Sequence, residues 1–397
     1  MKKNLRLRLA VLLCAFPLYS ALAEDTNFFP IMAWNSVAGD PAVLKKMHEC
    51  GLTVAGFVSP NALDLCQAAG LKAIVSDPRT ADYDWTKVDE RVARANVASL
   101  VQQVGKHPAL FGFYLRDEPA PNLFPGLAKV ASLIHEMAPG KWAYINLFPN
   151  YADMNQLGMN SYNEYLQKFI ATCRPTILSY DHYALMDDGS LRNGYWQNLE
   201  QMRTAARANK LPFWQIVLSV AHFNYRELSA ADLRFEVYSS LAHGARGIAY
   251  FQYFSSTTGN YRMGPIDQFG HPTATWNYLQ NVNLQIQKLA PTLLQLTSDD
   301  VYHFANVPEG SHGPGANNLL ASVAGGDFMA GDFTHRDKSR YVLIVNKNIF
   351  KSAACSPQFR VAPKRVQKVS AYTGKLGDYT GEENWLAPGQ GFLLKVQ

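Results

Sequence analysis

Eight short runs of apolar, β-branched and aromatic residues recur along the first three quarters of this chain. The runs are 28–37, 52–59, 71–76, 109–118, 141–148, 176–183, 212–220 and 246–255. Apolar residues are continuous within each run, which is typical of parallel strands covered by helices. Helical stretches separate the runs. Eight strand–helix repeats over roughly 250 residues predict an α/β fold, the (β/α)8 or TIM barrel.

The intervening segments carry helix signals of their own. Residues 84–104 have apolar side chains at a 3.6-residue period, among them Val88, Val92 and Val101. Ser229 and Asp232 form a capping pattern ahead of another helical segment, and Gly244 is expected to end it. A doubly wound open sheet is the alternative, but no Gly-rich phosphate loop follows an early strand.

The pattern changes near residue 299. Short strand-like segments with Gly and Asn turns follow, including RYVLIVNKN and GFLLKV. These features predict a small antiparallel, β-sandwich-like domain over 299–397, after the barrel over 24–298.

The first 23 residues have the features of a secretory signal peptide. Four basic residues precede a mostly apolar stretch over 9–22, and Ala21-Leu22-Ala23 supplies the small residues of a cleavage site. We therefore expect cleavage after Ala23 and a secreted or periplasmic protein. The apolar stretch is too short and wrongly flanked for a membrane span.

The net charge of the chain is +5, and the signal peptide carries four positive and no negative charges, so the remainder is close to neutral at +1. No basic stripe is visible. Nucleic acid and anionic membrane surfaces are therefore not expected as partners.

Four cysteines follow the signal peptide. Their spacing is wide and matches no metal-binding pattern. Cys50 and Cys66 each lie near the end of neighbouring helix-like segments, which permits one disulfide in an exported protein. Buried free thiols are an equally good interpretation of this pair.

Polar and aromatic side chains stand where the predicted strands end, the place of the active site in this fold. The candidates are Trp34, Asn35, Arg116, Asp117, Glu118, Asn146, Asp181, Tyr183, Gln215, His222 and Tyr253. The set contains no His/His/carboxylate metal cluster, Ser elbow or Cys/His pair, so neither a metal nor another cofactor is expected. Carboxylates, amides and aromatic rings suit a carbohydrate, since pyranoses have apolar faces and many hydroxyls.

The stretch GFYLRDEP resembles the fourth-strand motif of clan A glycoside hydrolases, the beta-galactosidase and cellulase-like barrels, where Asn-Glu-Pro is common. The resemblance implies that Glu118 is the general acid/base and that Asp117 stands where an Asn holds the sugar 2-hydroxyl. GARGIAYFQYF is similar to the eighth strand of these enzymes, and LAPGQGFLLKV is similar to the last strands of their accessory β-domains.

The seventh strand departs from that pattern. It carries Gln215 and no carboxylate, whereas clan A enzymes have their nucleophilic Glu there. Three sources of a second carboxylate remain open: Asp181 at the end of strand 6, Glu227 in the loop after strand 7, and Asp117 in a substrate-assisted reaction. We rank them in that order, because Asp181 is expected to face the same mouth as Glu118.

These residues predict a secreted glycosidase that cleaves O-glycosidic bonds with a pair of carboxyl groups. Trp34, Asn35, Arg116, Tyr183, His222 and Tyr253 are expected to contact the sugar, together with Asp117, Asn146 and Gln215. A non-catalytic glycan-binding barrel is the alternative. A polysaccharide lyase using Tyr180, His182 and Arg116 is a third interpretation.

Overall fold

The computed structural model describes residues 28–381 and 384–397. The predicted signal peptide, 1–23, lies outside the described residues. Eight parallel strands form a closed barrel in sequential order, β1 to β8. They are β1 Ile31–Ala33, β2 Val54–Val58, β3 Lys72–Val75, β4 Leu110–Asp117, β5 Trp142–Leu147, β6 Leu178–Asp181, β7 Phe213–Leu218 and β8 Gly247–Phe251. Each lies within one of the eight predicted runs, so the predicted TIM barrel is confirmed.

Helices surround this barrel and connect its strands. They are α1 Pro41–Glu49, α2 Leu63–Ala68, α3 Pro78–Ala81, α4 Glu90–Val104, α5 Phe124–Met137, α6 Met154–Leu157, α7 Tyr162–Cys173, α8 Tyr195–Asn209, α9 Ala230–Ala242 and α10 Ala274–Leu293. Short 3-10 turns at Pro60–Ala62 and Pro121–Leu123 precede α2 and α5. No helix among these is both long and apolar enough to cross a bilayer.

Two helix boundaries show what local sequence decides. α4 begins at Glu90 rather than near Asp84, because Asp89 caps it by accepting from the N–H groups of Arg91 and Val92. Asp84 instead closes a turn with Thr86. The predicted capping box of α9 is present, with Ser229 and Asp232 each accepting from the other's backbone N–H.

Side chains from alternate strand positions fill the barrel interior. This interior cluster includes Met32, Ile74, Tyr144, Trp214 and Ile216. The intervening positions face the helices, since successive side chains of a strand point to opposite sides.

The C-terminal part is antiparallel, as predicted. Its strands are β9 Leu296–His303, β10 Leu320–Ala324, β11 Phe328–His335, β12 Arg340–Asn346, β13 Ala353–Ala354, β14 Ser356–Phe359, β15 Val366–Val369, β16 Leu376–Asp378, β17 Trp385–Leu386 and β18 Gly391–Val396. Six form one sheet in the order β16-β15-β18-β12-β11-β9, and β10-β14 and β13-β17 form two small sheets. The proposed division at residue 299 falls inside β9 and stays a prediction.

Helix α9 lies between the barrel and this six-stranded sheet. It packs on β7 on one side and on β11 and β12 on the other. Almost all of its side chains are buried, which explains why its sequence is apolar around most of its circumference. The sheet approaches so closely that a Cβ at Gly331 would lie 2.1 Å from the Ala242 carbonyl oxygen. The β-domain is thus packed tightly against the barrel.

The described cysteines, Cys50, Cys66, Cys173 and Cys355, are free and buried. The disulfide between Cys50 and Cys66 that the sequence permitted is not formed. Burial raises the pKa of the Cys66 thiol to about 11, so this thiol stays protonated near neutral pH.

Glu236 on α9 is a fully buried carboxyl group. Burial raises its pKa well above the usual range, and the charge of Asp232 one turn earlier adds to the effect. In the folded state, Glu236 therefore keeps its proton at pH values at which the same carboxyl group in the unfolded chain has already lost it. Stability from this group is present at acidic pH and falls as pH rises.

We predict that Glu236→Gln raises the free energy of unfolding at pH 8 by on the order of 1 kcal/mol or more, because no proton is then lost on unfolding. Urea unfolding between pH 5 and 8 would show a flatter pH dependence than the wild type. Glu309→Gln, at an exposed loop position, is the matched control and should leave the slope unchanged. Parallel slopes for wild type and Glu236→Gln would contradict the prediction.

Candidate active site

A β-bulge in β4 turns Asp117 into the barrel. Tyr114 lies opposite Tyr144 and Asp117 lies opposite Asn146, so β4 uses one more residue than β5 over this interval. On a regular strand, Tyr114 and Asp117 would face opposite sides. The extra residue at Leu115 brings both into phase with the inward positions of β5. Re-aiming a side chain in this way is a common use of bulges next to active sites.

Glu118 faces the mouth by a different route. Its φ of 42° lies in the left-handed region, which costs a non-glycine residue about 1–3 kcal/mol. Its N–H donates to the Asn146 carbonyl oxygen at 2.9 Å, and the next carbonyl, of Pro119, accepts from the Tyr165 hydroxyl at 2.9 Å. These bonds hold the turn, and the Glu118 and Asp181 side chains lie near enough to affect each other's pKa values. Two adjacent carboxyl groups therefore share one mouth.

Asn146 joins the acids on either side of it. Its Nδ2 donates to Asp181 Oδ1 at 2.8 Å and to Asp117 Oδ1 at 3.1 Å. Its Oδ1 accepts from the Ser179 hydroxyl at 3.0 Å, and Ser179 Oγ in turn lies 2.8 Å from the Tyr144 hydroxyl. This chain of bonds fixes the amide so that its two N–H groups point at the carboxylates.

Asp117, Glu118 and Asp181 form what we call the carboxylate trio, and all three have raised pKa values. Burial raises the pKa of Glu118 to about 7, with a further contribution from the charge of Asp117. Burial also raises the pKa of Asp117 to about 6, against the opposing effects of Asn146 and Arg116. Asp181 is 4% exposed, and burial and its two acidic neighbours hold its pKa well above the usual range. At neutral pH the trio therefore retains protons.

Aromatic rings line the mouth around the trio. Half-buried Trp34 packs edge-on against Phe57, with ring centroids 5.1 Å apart, and lies 5.8 Å from Phe251. Tyr183 lies 5.3 Å from Phe251, and His222 lies 5.3 Å from the same ring. Three of the predicted aromatic contacts, Trp34, Tyr183 and His222, are thus gathered at one opening.

The loops add residues that the sequence analysis missed. The Arg192 guanidinium lies 4.3 Å from the centre of the Tyr151 ring, donates to the Tyr225 hydroxyl at 3.0 Å and donates to the Tyr183 carbonyl oxygen at 3.1 Å. Tyr151 comes just after the fifth predicted strand, so its place near a strand end identifies it as a candidate site residue. Arg192 and Tyr225 lie in long loops, where periodicity gives no guidance.

Gln215 lies outside the mouth. It stands between Trp214 and Ile216, which fill the barrel interior, so its fully buried side chain faces the helix layer.

Two further candidates also lie outside the mouth. Tyr253 is buried, its hydroxyl accepts from Trp276 Nε1, and it lines a separate cleft of 340 Å³ beside α1. The Asn35 side chain accepts a hydrogen bond from the Tyr253 N–H and donates one to the Ser36 carbonyl oxygen.

The remaining charged candidates lie at the surface. Arg116 is exposed and affects Asp117 through its charge. Glu227 Oε1 accepts from Arg262 Nε at 3.0 Å, and its side chain is 55% exposed. In 28–381 and 384–397, no group of three or more His, Cys, Asp or Glu has the geometry to hold a metal ion.

We predict that Asp117→Asn lowers the pKa of Glu118 from about 7 by roughly one unit, because a neighbouring negative charge is removed while burial remains. Carboxyl ¹³C NMR titration of protein labelled at glutamate would measure the shift. Arg116→Gln should move the pKa of Asp117 the opposite way, upward, since it removes a positive charge.

Asp267→Asn is the matched control, because Asp267 lies in the loop before α10, away from the trio, and it should leave Glu118 unchanged. An unshifted Glu118 titration in Asp117→Asn would show that the two groups are not coupled.

Comparison with known proteins shows similarity in structure. No protein-family model matches the chain, and no curated protein matches it in sequence. A glycoside hydrolase family 5 structure from Bacteroides vulgatus aligns with a TM-score of 0.54 at 13% identity, over 93% of this chain and 89% of that one. A structure described as a glycoside hydrolase aligns with a TM-score of 0.55 at 11% identity, over 93% and 92%.

A beta-galactosidase from Marinomonas ef1 aligns with a TM-score of 0.51 at 12% identity, over 67% of this chain and 62% of that one. The aligned region thus spans only about three fifths of that galactosidase. At sequence identities this low, the similarity shows a shared fold and not a shared reaction. The chain has the fold of the TIM-barrel glycoside hydrolases, as the motif resemblance implied.

Proposed function

We propose that this protein is a secreted glycoside hydrolase that cleaves O-glycosidic bonds of an oligo- or polysaccharide. The observation that carries the proposal is the carboxylate trio at the carboxyl ends of β4 and β6, where this fold has its active sites. The trio retains protons near neutral pH and stands beneath a ring of aromatic side chains. A protonated carboxyl beside ionisable ones is what glycoside cleavage requires.

Glu118 is the proposed general acid. Its pKa of about 7 keeps a large share of the group protonated near neutral pH, and its side chain is less buried than that of Asp181. Glu118 gives its proton to the glycosidic oxygen as the carbon–oxygen bond breaks and the electron pair passes to that oxygen. Water then adds to the sugar cation, and its released proton returns to the trio.

Asp181 is the proposed partner, and its burial beside other acids favours an electrostatic role. Retaining enzymes have carboxyl groups about 5–5.5 Å apart and inverting enzymes about 6.5–9.5 Å apart. The two side chains lie near enough to affect each other's pKa values, and the distance between their carboxyl groups decides between these two outcomes. As Glu118 loses its proton, the trio becomes more negative while positive charge develops on the sugar, which stabilises the transition state.

Asn146 and Asp117 support this arrangement. The amide of Asn146 keeps Asp117 and Asp181 in fixed positions, and Asp117 raises the pKa of Glu118. We infer that Asp117 is a positioning residue in the free enzyme. With substrate bound, we expect its carboxyl group to contact a sugar hydroxyl.

A non-catalytic glycan-binding barrel is the second candidate. The observation in its favour is that β7 ends in Leu218 and carries no carboxylate. The lyase interpretation has less support, because Tyr180 and His182 alternate with Ser179 and Asp181 and are fully buried on the helix side of β6.

We predict that Glu118→Gln lowers kcat on a cleaved glycan by about 10²–10⁴-fold, because amide nitrogen cannot supply the acid proton. A panel of plant, algal and bacterial polysaccharides, assayed for released reducing ends, would identify the substrate and measure the loss. Glu227→Gln is the matched control and should keep activity within about threefold.

Undiminished hydrolysis by Glu118→Gln would refute the acid assignment. Binding of a glycan by the wild type, without release of product from any member of the panel, would favour the non-catalytic alternative. Affinity electrophoresis of the same panel makes that distinction.

A further inference from the structure

Phe223 combines two features that are unfavourable in a free protein. Its ring is 69% exposed, and its backbone φ of 46° lies in the left-handed region that bulky residues avoid. Scattered exposed apolar residues are ordinary at a surface. An exposed aromatic ring on a strained backbone points to a role outside folding.

The side chain of Asn260 holds this conformation. Its Oδ1 accepts from the Phe223 N–H at 2.7 Å, and its Nδ2 donates to the Phe223 carbonyl oxygen at 2.8 Å. Nearby, Ala221 and Arg262 exchange two backbone hydrogen bonds of 3.1 and 2.9 Å. The loop after β7 is thereby fixed to the loop after β8, so the ring has a defined position.

A series of ring–ring contacts connects Phe223 with the mouth of the barrel. Its centroid lies 4.9 Å from His222, and His222 stacks on Tyr261 at 4.7 Å with an interplanar angle of 6°. His222 also lies 5.3 Å from Phe251, the ring that packs on Tyr183 beside the trio. A contiguous cluster of aromatic rings therefore runs from the carboxylates outward to Phe223, with His222 buried inside it.

This aromatic cluster also carries polar groups. His222 Nδ1 lies 3.1 Å from the Val220 carbonyl oxygen, to which it donates. Burial lowers the pKa of His222, which favours the neutral ring. The Tyr261 ring is half-buried and carries a hydroxyl of its own. Apolar faces next to hydroxyl-binding edges match a pyranose better than they match an apolar protein surface.

We propose that Phe223 and Tyr261, which pack on the buried ring of His222, form a distal glycan subsite that stacks a sugar unit at some distance from the bond to be cleaved. The inference rests on the proposed function for its ligand, a further unit of the same glycan chain. It gives the protein a preference for extended glycans over single-sugar glycosides, because only an extended chain reaches from the trio to Phe223.

The test measures binding in the Glu118→Gln background, so that no glycan is consumed. Calorimetric titration would compare an oligosaccharide of a polysaccharide bound by the protein with a methyl glycoside of one of its sugars. Phe223→Ala should weaken oligosaccharide binding about five- to tenfold and leave the methyl glycoside unaffected. Phe223→Trp should restore the affinity. Phe350→Ala, at a ring 74% exposed in the β-domain, is the control.

Phe223→Gly separates a binding role from a structural one. Glycine adopts positive φ without strain, so this variant should keep or raise the thermal midpoint while losing oligosaccharide affinity. A ring that served packing would show the reverse, with lower stability and unchanged binding.

The two proposals fail in different ways. If the wild type binds a glycan through Phe223 but hydrolyses nothing, the subsite stands and the hydrolase proposal falls. If hydrolysis is normal and Phe223→Ala binds oligosaccharides like the Phe350→Ala control, the subsite is refuted while the hydrolase proposal stands. Absence of binding to every glycan in the panel would overturn the subsite as well.

Discussion

One amide holds the centre of this structure together. Asn146 donates to Asp117 and to Asp181, and three acids with raised pKa values crowd around it. Burying carboxyl groups is costly unless protons or hydrogen-bond donors compensate. Here both compensations are used, because Asn146 supplies the donors and the trio retains protons. The orientation of Asn146 depends in turn on Ser179 and Tyr144, so the acids are tied to the barrel interior.

The rest of the fold provides a rigid frame for this cluster. The β-domain contributes to this frame through α9. It packs on α9, which lies against β7, and the contact is close enough to require glycine at position 331. The β-domain therefore supports β7 through α9, on the outer side of the barrel. Loops that follow β7 and β8 are fixed to each other in front, so the mouth is held on both sides.

Much of this fold could be predicted from the sequence. Continuous apolar runs identified all eight strands, and a local signal such as Ser229 with Asp232 identified a cap, because both depend on short-range patterns. The acids Glu118 and Asp181 were also placed at strand ends and are brought together. Gln215 was expected at the mouth, since composition cannot show which side of a buried strand a residue faces when both sides are covered.

No local sequence pattern predicts the bulge in β4 or the positive φ of Glu118, the residue after β4. Strand alternation argues that Asp117 and Glu118 cannot both face the mouth, and this is true of a regular strand. An extra residue at Leu115 and a positive φ at Glu118 together remove the restriction. Both depend on partners in β5 and α7 that lie far away in sequence, so only the folded chain reveals them.

The layered packing of the barrel interior accounts for the closeness of Asp117 and Asp181. In this barrel fold, inward side chains form layers that are contributed by alternate strands. Asp117 on β4 and Asp181 on β6 belong to such a pair, and Asn146 on the intervening β5 bridges them. The position on β7 opposite Asp181 is Ile216, an interior apolar residue. The proposed chemistry is thus built across β4, β5 and β6 and uses no acid from β7.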